Sequence, residues 1–105
     1  MNNSKISNGI FDRYIFMATD SLRIGDLKRA YEIIIEAMQV DPDAPQPHNL
    51  LGIWFELHGN TNMARRHYRA AYALDPTYRP ACKNLERICT MTEDVHMFCF
   101  GDETD

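Results

Sequence analysis

Residues 45–78 read PQPHNLLGIWFELHGNTNMARRHYRAAYALDPTY, and the stretch before them, 11–44, reads FDRYIFMATDSLRIGDLKRAYEIIIEAMQVDPDA. Set one under the other at an offset of 34 residues, Gly25 falls on Gly59, Ala30 on Ala64 and Ala37 on Ala71, and Asp41-Pro42 falls on Asp75-Pro76. A fixed register shared by turn, small and helix-stop residues marks an internal repeat, and a repeat decides the fold before any single element does.

Working outward, Tyr14, Met17, Ala18 and Ser21 are spaced as one face of an α-helix, and His48, Leu51, Gly52 and Phe55 repeat that spacing. Ala30, Ile34, Ala37 and Val40 form a second stripe, with Ala64, Tyr68, Ala71 and Leu74 in step. The small residues let two helix backbones approach, and the large ones fill the space between them. Asp26 and Asn60 are suited to cap the second helix of each unit. Gly25 and Gly59 fit the left-handed position that ends the first. Pro42 and Pro76 stop the second helices, and Pro45 and Pro80 fall where a following helix begins and a proline is tolerated. The pattern predicts an all-α chain with helices near 9–24, 27–40, 45–58, 61–74 and 79–91.

The same residues resemble the tetratricopeptide repeat, a helix, a tight turn, a second helix and a stop at Asp-Pro. Repeat 45–78 carries Leu51-Gly52, Phe55, Gly59, Ala64, Tyr68, Ala71 and Asp75-Pro76 at the family's signature places, with His48 in place of the usual tryptophan. Repeat 11–44 has Tyr14, Met17-Ala18, Gly25, Ala30, Ile34, Ala37 and Asp41-Pro42, with Ser21 in place of the usual aromatic. The resemblance implies a right-handed helical-hairpin solenoid of two repeats. A lead-in, 1–10, precedes them. Helix 79–91, with Ala81, Cys82, Leu85 and Ile88, begins like a third repeat but carries Glu86 where a small residue is preferred, and is read as a cap. The tail, 92–105, is apolar and then acidic, and is expected to be mobile.

Composition narrows the classes of function. A length of 105 residues suits one small domain, and a net charge of −4 argues against non-specific nucleic-acid binding. No apolar run is long enough to span a bilayer. Residues 1–8 are polar and have no basic segment leading into an apolar signal core, so a cytoplasmic location is expected. Three cysteines, Cys82, Cys89 and Cys99, fit no closed disulfide framework and are read as reduced thiols.

No catalytic or cofactor motif emerges. His48, His58, His67 and His96 lack metal-site spacing, and His48 lies on a core stripe. His96 and Cys99 are three apart, but two ligands do not make a site. No glycine-rich phosphate loop or nucleophile elbow is present. Arg65, Arg66 and Arg69, with His67, read as a solvated outer helix face. Trp54 falls where the family has a small residue and is expected to pack over Ile34 and Met38. The expectation is therefore a non-enzymatic protein without cofactor or metal.

What the resemblance implies instead is a groove lined by the first helix of each repeat: Asp12, Ile15, Thr19 and Leu22, then Gln46, Asn49, Ile53 and Glu56, then Lys83, Arg87 and Thr90. Ile15, Leu22 and Ile53 would be large aliphatics on an open face, the mark of a partner surface. The implied function is an adaptor that binds a peptide segment of a partner protein through Ile15, Thr19, Leu22, Asn49, Ile53, Glu56, Lys83 and Arg87. The alternative is a homo-oligomerising unit that uses this groove or its apolar tail against a second copy. The tail itself, with Val95, Met97, Phe98 and Phe100, is a third candidate to fill the groove. The places where some family members hold cations for acidic chaperone tails carry Ile15, Thr19, Leu50, Pro80 and Asn84, which implies no such binding.

Overall fold

The computed structural model describes residues 2–90 and 98–103, and among them the chain is all-α, with no strand. In order come α1 (Asn2–Arg23), α2 (Leu27–Val40), α3 (Gln46–Leu57), α4 (Thr61–Leu74) and α5 (Arg79–Thr90). The spans of α2 and α4 are those expected, α3 differs from expectation only at its ends, and α5 begins where expected. Helix α1 is longer than expected: it begins at Asn2 instead of near residue 9, where a polar stretch offers no apolar periodicity to read.

The turns repeat in geometry as well as in sequence. Gly25 and Gly59 have φ of 82° and 77°. The Asp26 N–H reaches back to Ser21 O at 2.9 Å, and the Asn60 N–H reaches Phe55 O at 2.9 Å. These bonds satisfy carbonyls that the end of a helix leaves open. Asp26 then accepts from the Arg29 N–H, and Asn60 from the Met63 N–H, capping α2 and α4. After the second helices, the Asp41 N–H donates to Ala37 O and the Asp75 N–H to Ala71 O, each at 3.0 Å. The side chains of Asp41 and Asp75 next accept the N–H of Asp43 and Thr77. Each of these hydrogen bonds of the first unit thus has its counterpart 34 residues on.

Helix α1 packs on α2 and α3 on α4; α2 joins α3, α4 joins α5, and α1 also touches α3. Ala18, Ala30, Ala37, Ala64 and Ala71 are fully buried, which lets the backbones approach, while Ile34, Leu50 and Tyr68 fill the interior. Gly52 allows the closest approach. A Cβ there would meet the Tyr68 ring at Cε1, and would lie 2.7 Å from Cζ. Trp54 packs against the core cluster that contains Ile34, and also on the start of α2. Its Nε1–H donates to Leu27 O at 2.8 Å and its ring lies 5.0 Å from that of Tyr31. An indole that is half-buried needs such an acceptor, and the first turn of α2 supplies it.

His48 and His67 form a pair across the α3–α4 hairpin. Their Nδ1 atoms are 3.2 Å apart, and the His67 ring stacks on Phe55 at 5.3 Å. His67 therefore turns inward, away from the outer face on which Arg66 and Arg69 are exposed. One imidazole donates and the other accepts, which two protonated rings cannot do. Burial lowers the affinity of both rings for a proton, and His48 and Arg66 lower that of His67 further. The unfolded chain therefore binds more protons once the pH reaches the ordinary histidine value. Stability from this pair is complete above it and is lost as the pH falls below it, through the lowered values of the folded rings. Thermal melts are expected to show a lower Tm at about pH 5.5 than at about pH 7.5, with a smaller drop in His67→Phe. A variant with the parent's full pH dependence would assign the effect to other groups.

Candidate functional site

Helices α1, α3 and α5 share a face, and residues 98–103 lie across it. Three hydrogen bonds hold one residue of that segment by its main chain. Asn49 Nδ2 and Asn84 Nδ2 both donate to Cys99 O, at 2.9 and 2.8 Å, and the Cys99 N–H donates to Asn84 Oδ1 at 2.8 Å. Asn84 Nδ2 also donates to Asn49 Oδ1 at 2.9 Å, which fixes the two amides relative to each other. Both asparagines are buried, at 0% and 1% exposure. A buried amide left without partners costs about 1–3 kcal/mol, and the Cys99 peptide unit spares the pair that cost.

Two arginines flank this clamp. Arg23, at the end of α1, forms a two-pronged ion pair with Asp102, at 2.6 and 2.8 Å, and its guanidinium lies 4.4 Å from the centre of the Phe100 ring. That hydrogen-bonded pairing holds the Asp102 carboxyl below the usual carboxylate range. Arg87, on α5, lies 5.1 Å from the Phe98 ring centre. Phe98 and Phe100 meet edge to face at 6.3 Å and pack against the core cluster that contains Leu22 and Ile53. The segment closes on itself where Glu103 accepts the N–H groups of Phe100 and Gly101.

Below the clamp, Arg87 donates to both carboxylate oxygens of Glu56, at 2.9 and 2.6 Å, and the Tyr68 hydroxyl donates to Glu56 Oε1 at 2.6 Å. The Glu56 hydrogen bond raises the affinity of Arg87 for its proton, and burial followed by that same carboxylate pushes the Tyr68 phenol up. Thus α3, α4 and α5 are tied together directly beneath the segment.

These positions correct the expectation of an open groove. Thr19, Leu22, Asn49 and Ile53 are all buried, and Ile15, Glu56 and Arg87 are half-buried. Lys83 is exposed and borders a cavity beside Cys99 and Glu103. The physical reason is that the apolar face gains by being covered, and the chain covers it with its own 98–103. Residues 98–103 of the tail are placed on this face; 92–97 and 104–105 lie outside the described residues. The structure brings Asn49, Leu22, Ile53 and Arg87 of the expected set together with the segment. It adds Arg23 and Asn84, which were not in that set. Asn84 shares the buried stripe of Ala81 and Ile88 on α5, where its amide has no partner to be read from the sequence, and Arg23 sits at a helix end where charge is ordinary.

Among the described residues, no group of three or more His, Cys, Asp or Glu side chains could hold a metal ion. His96 lies outside them, so the His96–Cys99 spacing has no geometry to test it. None of the described helices is long and apolar enough to cross a membrane. Comparison with protein-family models, with curated proteins and with solved structures gave no match.

Proposed function

We propose that this chain is a non-enzymatic adaptor of the tetratricopeptide type, a right-handed solenoid of two hairpin repeats and a cap, whose α1–α3–α5 face grips a peptide segment of a partner protein. The observation that carries this reading is the clamp: Asn49 and Asn84 engage both the N–H and the C=O of Cys99. Main-chain recognition of this kind gives affinity for any chain laid in the seat, while neighbouring side chains choose among them. The repeated turn geometry supports the solenoid, because two units closed by the same hydrogen bonds stack in the same way.

The test uses the full chain with Phe98→Ala and Phe100→Ala, which weakens the hold of its own segment, and a fluorescent peptide of sequence 98–103. Binding is expected by anisotropy, and at least about tenfold weaker binding to the unaltered chain, whose tethered segment competes at an effective concentration on the order of millimolar. Adding Asn84→Leu should abolish the signal. Equal binding with and without Asn84 would remove the clamp from the function.

A further inference from the structure

Resting on that reading, we infer that the seat selects partner segments of one pattern: aromatic, any residue, aromatic, glycine, acidic, acidic. The chain's own 98–103 is an internal stand-in for such a segment. Each position of the pattern is read by a different group. The two aromatics meet Arg87 and Arg23 respectively, and each packs on the core cluster. The residue between them is held by its main chain through Asn49 and Asn84.

Glycine is demanded twice over at the fourth position. Gly101 has φ of 105°, in the left-handed region, and a Cβ there would collide with the Tyr78 hydroxyl. The fifth position faces the fork of Arg23, whose paired nitrogens match a carboxylate and repel a cation. The sixth closes the turn over the N–H groups of the third and fourth.

One observation favours a partner's segment as the final occupant. The seat is shallow: residues 98–100 are half-buried and 101–103 exposed, so the resident segment gives way to another of the same pattern with little surface uncovered.

The experiment uses the full chain with Phe98→Ala and Phe100→Ala, and synthetic peptides of sequence 98–103, parent or carrying Phe100→Ala, Gly101→Ala or Asp102→Lys. Each altered peptide is expected to bind at least about tenfold more weakly than the parent. Adding Arg23→Glu to the chain should restore the Asp102→Lys peptide and weaken the parent, a reciprocal change that a merely structural Arg23 would not give. If every peptide binds alike, the pattern is overturned while the peptide-binding reading stands. If the parent peptide fails to bind at millimolar concentration, both fall. If the unaltered chain is a dimer by light scattering and becomes monomeric with Phe98→Ala and Phe100→Ala, the occupant is a second copy and the inference is wrong.

Discussion

Gly52→Ala is expected to destabilise the chain by about 3 kcal/mol, lowering Tm by more than about 10 °C, although it adds a single methyl group. The added carbon would fall inside contact distance of the Tyr68 ring at Cδ1 and Cζ, 2.5 and 2.7 Å away. Neither side can yield easily. Tyr68 is wholly buried, and its hydroxyl is anchored to Glu56, one turn along α3 from Gly52. Helix α4 would have to move away from α3, opening the hairpin at its tightest point. A second change separates this from loss of helix flexibility, since alanine alone favours a helix over glycine. In a Tyr68→Leu background, which lacks the ring, Gly52→Ala should cost little or become stabilising. Thermal melts of the four proteins would check this, and equal costs in both backgrounds would show that the ring is not the obstacle.

That glycine also marks how far the sequence could be read. Its place on the apolar stripe was legible, as were the caps Asp26 and Asn60, because local hydrogen bonding dictates those residue types at those spacings. Which side chain would lie on Gly52 was not, because Tyr68 approaches from another helix. The same limit hid the His48–His67 pair, whose members look unrelated until α3 and α4 fold together. It also hid the seat of 98–103. An asparagine that binds a peptide unit needs no complementary residue in the sequence, so nothing pairs Asn49 or Asn84 with Cys99. The apolar character of 98 and 100 was the one visible sign, and it showed that something had to cover them without showing what. For that reason Leu22 and Ile53 lie on the expected face but are covered instead of open.

Arg87→Leu should be the most damaging single change on α5, at about 3–5 kcal/mol. The side chains of Arg87 and Glu56 are only 11% and 12% exposed, so removing the cation leaves a carboxylate shielded from water with the Tyr68 hydroxyl still aimed at it. Glu56→Leu together with Arg87→Leu should recover most of the loss, since neither charge is then stranded. By contrast, breaking the exposed Arg23–Asp102 pair, with partners 44% and 47% exposed, should cost no more than about 1 kcal/mol and respond to salt. Urea unfolding of the single and double variants would measure the coupling. A double variant as unstable as Arg87→Leu alone would mean that the packing of the arginine stem, not its charge, is what α5 contributes.

The turn geometry has a consequence for how the molecule can change in length. Gly25 and Gly59 with their capping partners, and Asp41 and Asp75 after them, complete each unit's hydrogen bonds from residues of that unit and the turn that follows it. The main-chain and capping bonds that close these turns come from within each unit, so in its turn chemistry the unit behaves as a period and not as a part. Duplicating residues 45–78 in place would bring its own start, its own stop and another asparagine on the shared face, adding reach by whole increments with no new junction chemistry. On the function proposed above, copy number, as much as side-chain identity, would then set how much of a peptide such a chain spans.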